Sequence, residues 1–184
     1  PPHALPALLQ ILHAGKPSLK MAVVHALGES STGETAEMLQ WLAASENDEA
    51  VVAAAADELA LMSTPESIGA LVNLSADPTR RDKVVSALSG LPERDVPLLG
   101  AHLSHPQWQV KCSVIEALTR IKRPSASHFI MEALADKDRK VRLAAVRALG
   151  KLGNRQARDA IIRMARNDPD LVVQREAKKT LENL

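Results

Sequence analysis

DRKVRLAAVRALGKLG, residues 138–153, is the clearest copy of a pattern that recurs along this chain. Val141, Ala145, Ala148, Leu149 and Leu152 fall at i, i+4, i+7, i+8 and i+11, the apolar stripe of an amphipathic helix. Arg139, Lys140, Arg147 and Lys151 lie off that stripe. Asp136 and Asp138 stand where carboxylates accept from the orphan amides of a helix start, and Gly150 and Gly153 are expected to mark its end.

Moving outward from this stretch, the leucine that closes each copy recurs as Leu27, Leu59, Leu88, Leu118, Leu149 and Leu181, at intervals of 32, 29, 30, 31 and 32 residues. Eight residues earlier a second column reads Leu19, Val51, Val110, Val141 and Val173, broken in the third copy by Arg80. A period that steady over the whole length is the signature of stacked repeats, each burying its apolar stripe against its neighbours. Pro17, Pro65, Pro92, Pro106 and Pro124 and the acids Asp48 and Asp77 punctuate the helices.

A helix ending in LADKD followed by KVRLAAVRALGKLG resembles the HEAT-repeat family, and the short unit is similar to the phycobilin-lyase type of HEAT-like repeat. The fit is strong over 134–153, recognisable over 166–181 and 15–28, and loose between 48 and 91. The resemblance implies an all-α fold, a right-handed α-solenoid of about six stacked antiparallel helix pairs. It covers 1–184 as a single array with repeats near 1–31, 32–62, 63–91, 92–122, 123–153 and 154–184. Helix pairs of the first repeat are expected at 4–14 and 17–27. In such arrays the first helices line the convex side and the second helices the concave side, the default binding surface.

The net charge of +1 hides an asymmetry. Residues 21–79 contain ten acids and no lysine or arginine, whereas residues 80–184 hold 21 basic residues against 12 acids. In a linear array, distance along the sequence becomes distance in space, so the array is expected to be acidic towards one end and basic towards the other.

On the expected concave row, one position per repeat reads His25, Asp57, Ser86, Glu116, Arg147 and Lys179, and the next reads Glu29, Leu61, Gly90, Arg120, Lys151 and Asn183. Such a row is either a solvated face or an elongated groove for a partner of complementary charge. The basic set Arg139, Lys140, Arg147, Lys151, Arg175 and Lys179, with Trp108 beside it, is the candidate partner-binding surface. Trp108 has two readings, an interface hot spot or inter-repeat packing; packing is the stronger reading for Trp41. The column Lys20, Val52, Arg81, Lys111, Arg142 and Gln174 is set apart: by resemblance, an arginine there ladders to an aspartate of the adjacent repeat.

Chemistry-bearing motifs are sparse. A single cysteine, Cys112, excludes an internal disulfide and a cysteine metal framework. His102, His105 and Cys112 lie near one another in sequence, but no second cluster supplies the remaining ligands of a zinc site, so no metal is expected. Deoxyhypusine hydroxylase, an enzyme of similar stacked helices, depends on repeated His-Glu pairs; here the six histidines are followed by Ala4, Ala14, Ala26, Leu103, Pro106 and Phe129. HEAT-like DNA glycosylases use an aromatic-rich basic groove, and this chain has only Trp41, Trp108 and Phe129. No nucleophile elbow or phosphate loop is present.

The expectation is therefore a non-catalytic protein-interaction scaffold without a cofactor, binding a protein partner on the concave face with help from the charge polarity. Two alternatives stand beside it: a subunit of a phycobilin-lyase-like, chromophore-handling enzyme, and nucleic-acid binding through the basic C-terminal repeats. No apolar run approaches the roughly 18 residues of a membrane span and no signal-peptide pattern opens the chain, so the expected location is cytoplasmic. The expected state is a monomer, with head-to-tail self-association at low salt.

Overall fold

The computed structural model describes residues 15–182, and the helix expected at 4–14 lies outside the described residues. The described residues are helical, with no strand among them. They fall into two compact units, one running to Leu88 and one starting at Ser89.

The first unit contains α1 (Pro17–Ser30), α2 (Gly33–Ser45), α3 (Glu49–Met62), α4 (Pro65–Leu74) and α5 (Arg81–Ser89), which ends at the unit boundary. Thr32 and Thr64 each close a capping box, with Thr35 and Ser67 respectively, and so fix where α2 and α4 begin. Asp48 caps α3 as expected, accepting from the amides of Ala50 and Val51 at 2.9 and 3.3 Å. With their starts fixed, α1 packs on α3 and α2 on α4. Val24, Leu39, Val51, Ala55, Leu59, Ile68 and Leu71 are buried between them.

The second unit contains α6 (Val96–Ala101), α7 (Trp108–Ile121), α8 (Pro124–Glu132), α9 (Arg139–Leu152), α10 (Arg158–Asn167) and α11 (Leu171–Leu181), with short 3-10 turns flanking α6, following α8 and preceding α10. The repeat-closing helices α7, α9 and α11 lie side by side, while α6 and α8 pack together on one flank and α10 packs on α11. Val110, Val114, Leu118, Ile130, Val141, Ala145, Leu149, Ile161, Val173 and Ala177 are buried here. Leu27, Leu59, Leu88, Leu118 and Leu149 and the valines eight residues before the closing leucines therefore form core columns, whereas Leu181 is half-buried and Leu19, in the valine column of the first repeat, is 46% exposed.

Four residues after a closing leucine the chain turns through the left-handed region, at Ser31 (φ 44°), Ser63 (φ 50°), Lys122 (φ 55°) and Gly153 (φ 60°). The two serines soften this with side-chain bonds to Gly28 O and Ala60 O at 3.1 and 3.2 Å. Gly153 does end α9 as expected. Gly150 instead lies inside the helix, and its reason is packing: a Cβ there would stand 2.8 Å from Thr180 Cγ2 of α11. Gly28 meets Glu58 in the same register, one residue after a closing leucine against one residue before the next.

Gly150→Ala is expected to gain about 1 kcal/mol of helix propensity and to lose about 1–3 kcal/mol through overpacking against Thr180. Urea unfolding should show a net loss of about 1 kcal/mol in the single variant, recovered when Thr180→Ala is added. A single variant more stable than the parent would show that α9 and α11 do not approach this closely.

Candidate interaction surface

The surface is positioned by a charge ladder. Seven residues before the closing leucine, a base on the second helix of one repeat reaches the acid that follows the first helix of the next. Lys20 Nζ meets Glu46 Oε2 at 2.5 Å and Lys111 Nζ meets Asp136 Oδ2 at 2.6 Å. Arg142 makes the fullest rung, Nε to Asp168 Oδ2 at 2.7 Å and Nη2 to Oδ1 at 3.0 Å, with both side chains buried. Its Nη1 also donates to Asp136 O and Lys137 O at 2.9 and 3.1 Å, so one guanidinium joins its own repeat's turn to the next repeat's acid. Gln174, in the same column of the last repeat, makes only the first kind of bond, to Asp168 O at 2.7 Å.

The acids belong to paired motifs, Glu46-Asn47-Asp48, Asp136-Lys137-Asp138 and Asp168-Pro169-Asp170. The first acid takes the ladder cation and the amide of the second acid; the second acid caps the following helix. Asp136 thus does not cap α9, as the sequence suggested, but holds the turn from which Asp138 does. Repeats three and four carry Ser75 and His105 at the first position, and His105 Nδ1 accepts the Gln107 amide at 3.1 Å.

Arg80, the residue that broke the apolar column, has its own role. Its guanidinium donates to Ala43 O and Ala44 O at 2.5 and 2.6 Å and to Glu46 O at 3.1 Å, and pairs with Asp77. It closes the C-terminal end of α2 from the next repeat, where Val52 and Ser75 supply no rung. A cleft of about 210 Å³ beside it is lined by Glu46, Asn47, Glu49, Val52, Thr79, Arg80 and Lys83. Lys83 is bonded to Glu49 at 2.7 Å, so the cleft's charges are engaged with one another.

Against this frame the candidate residues separate. Trp108 and Lys140 come together: Trp108 is half-buried at the start of α7, and Lys140 Nζ of α9 sits 3.7 Å from its ring centroid. Arg139 is exposed but bonded to Asp170 at 2.8 Å, and that guanidinium holds the Asp170 carboxyl below the usual carboxylate range. Arg147 grips Glu176 with Nε and Nη2, each at 3.2 Å. Lys151, one turn beyond Arg147, and Arg175 on α11 are exposed and make no ion pair among the described residues. Lys179, also exposed, lies one turn beyond Arg175.

Sequence reasoning missed the acids Asp170 and Glu176, which offset two of the chosen cations. It also missed Leu171 and Val172, 72% and 48% exposed at the start of α11. Trp41, read as packing, is 41% exposed. His102 is held below its ordinary pKa by burial and by His105. Among the described residues no three or more His, Cys, Asp or Glu side chains converge as a metal site would require, and no helix is long and apolar enough to cross a membrane.

The profile of the family described as HEAT repeats matches residues 5–89 and 96–182. The chain belongs to the HEAT-repeat family. The match is to HEAT repeats in general, and the Arg142–Asp168 rung is the inter-repeat contact that the resemblance implied. No curated protein sequence matches this HEAT-repeat chain. Among solved structures it is similar to human deoxyhypusine hydroxylase in complex with glycerol, at 18% identity over 99% of this chain and 90% of that one, with a TM-score of 0.49. It is also similar to a computationally designed armadillo repeat protein for modular peptide recognition, at 17% identity over 98% of this chain and 99% of that one, TM-score 0.44. A designed armadillo repeat protein in complex with the peptide (KR)4 aligns at 17% identity over 97% and 98%, TM-score 0.43.

The Arg142–Asp168 rung titrates with a definite sign. Burial works to raise the Asp168 pKa, but the Arg142 hydrogen bonds, the Asp170 amide and the guanidinium charge outweigh it, and the carboxyl lies below its ordinary value. A depressed carboxylate contributes stability that is present above its unfolded pKa, about 4, and is lost as pH falls through the folded value. Arg142→Ala, which leaves Asp168 buried without its partner, is expected to cost about 3 kcal/mol at neutral pH. Urea midpoints of parent and variant should converge as pH falls below about 4; a gap that stays constant into acid would show that the rung contributes nothing through its charge.

Proposed function

We propose that this HEAT-repeat protein is a non-catalytic interaction module, and that the exposed face of α7, α9 and α11 binds an acidic segment of a partner protein. The repeats supply the physical basis. Each second helix spends its inward columns on packing and presents the remaining columns side by side with those of its neighbours, which suits an extended peptide better than a compact substrate.

The observation that carries the reading is the exposed face of α11. Leu171 and Val172 lie exposed at its start, and Arg175, Lys178 and Lys179 follow one and two turns later, all exposed. An apolar contact flanked by cations is complementary to a segment that pairs an aliphatic anchor with carboxylates. Lys151 extends the positive surface onto α9, and the Trp108–Lys140 pair extends it towards α7. Arg139 and Arg147 contribute less charge than their number suggests, because Asp170 and Glu176 already face them. The surface thus sets a small apolar patch beside exposed cations, a mixture suited to an interface that forms and dissolves.

A fluorescein-labelled peptide alternating glutamate and leucine, titrated by anisotropy, is expected to bind at low salt and to weaken steadily as salt screens the cations. Lys151→Glu with Arg175→Glu should weaken it about tenfold while leaving the far-ultraviolet circular dichroism unchanged. Affinity that ignores both salt and the double variant would count against the proposal. Tighter binding of a DNA duplex than of the peptide would favour a phosphate backbone as the ligand of this face.

A further inference from the structure

A second charged surface lies on the first helices, apart from the face just described. The turn at Arg155–Ala157 and α10 present Arg155, Arg158, Arg163 and Arg166, all exposed and none in an ion pair among the described residues. Asp159 is the single acid on that helix. Arg155 and Arg158 stand at the N-terminal end of the helix, where the macrodipole disfavours cations, and Asp159 is the one carboxylate of that first turn. Four exposed arginines around one acid, none of them in an ion pair among the described residues, exceed what the folding of this helix requires.

The first unit carries the counterpart. Glu34 and Glu37 on α2 and Glu66 on α4 are exposed and make no ion pair among the described residues. A Cβ on Gly33 would lie 3.8 Å from Glu66 Cγ, so the acids of the two helices share one surface. Residues 21–79 hold no lysine or arginine that could pair with them; of the next cations along the chain, Arg80, Arg81 and Lys83, Arg80 is engaged by Asp77 and Lys83 by Glu49. The macrodipole accounts for Glu34 and Glu66, each in a first turn, but not for Glu37.

We propose that the arginine face of α10 docks the acidic α2–α4 surface of a second copy of this chain. The partner's chemistry is what the arginines call for, several carboxylates on a rigid helical surface, and this chain carries it in excess. Because the two surfaces differ, the contact is heterologous: each copy offers one of each, and association proceeds head to tail. It requires low ionic strength, since every group involved is exposed and screened by salt.

Sedimentation velocity of the full chain tests this through a charge swap. The native chain is expected to rise above its 19.8 kDa monomer mass with increasing concentration at low salt and to return to it at about 0.5 M salt. Arg163→Glu with Arg166→Glu should weaken association about tenfold or more, and Glu34→Lys with Glu37→Lys should do the same. An equimolar mixture of the two variants should associate again, because each now complements the other. Circular dichroism on each variant establishes that the helices remain. A native chain that stays monomeric at low salt, association that survives in both variants, or a mixture that fails to recover it each overturns the proposal. So does an arginine-dependent shift of a DNA duplex by a chain that is itself monomeric.

Discussion

The buried rung between Arg142 and Asp168 is the constraint to which its neighbours answer. A buried ion pair is a weak source of net stability, because the desolvation of both groups offsets most of their attraction. Its value here lies in what each partner also holds. Arg142 is bonded to two carbonyls of its own turn, and Asp168 accepts the amide that sets the Asp170 cap. The rung therefore ties the start of α11 to the start of α9 in one register. A slide of α11 by a single residue would break the rung and the Arg139–Asp170 and Arg147–Glu176 bridges, and would take Thr180 out of the space left by Gly150.

Much of this was legible because packing repeats. The closing leucines and the valines eight residues earlier return in the same places, since each second helix meets the same neighbours. The caps at Asp48 and Asp138 could be read because an acid before an apolar stripe has one common physical use. Arg80 showed what a break in a column means: an arginine cannot occupy a valine's site in the core, so the chain turns there and the side chain goes to the open carbonyls of α2. Gly150 was misread because glycine near a helix end has two uses, terminating the helix or admitting a neighbour, and only the position of Thr180 distinguishes them.

The candidate surface was less legible, for an electrostatic reason. Counting charges along a sequence treats every cation as available, whereas a repeat array places residues about one period apart in contact. Arg139 and Asp170 are 31 residues apart, and Arg147 and Glu176 are 29 apart, near the repeat length itself. Two of the six cations of the apparent binding patch are consumed in this way without any local sign. The arginines of α10 were the opposite case, counted only within the general excess of the C-terminal half although none of them has an intramolecular partner among the described residues.

A repeat chain divides its positions by what its neighbours permit. Inward columns admit valine, alanine and leucine and little else, because a second helix already occupies the space. The outward columns of α7, α9 and α11 read Trp108, Arg139 and Leu171 at one position and Glu116, Arg147 and Lys179 at another. Nothing in the packing selects among an aromatic ring, a guanidinium and an isobutyl group at such a place. Where the fold is indifferent, the residue present answers to pairing within the array or to a partner outside it. Arg139 and Arg147 answer to the first. Leu171, 72% exposed beside unpaired Arg175, has no such account within the described residues, and this makes α11 the point from which recognition is best sought.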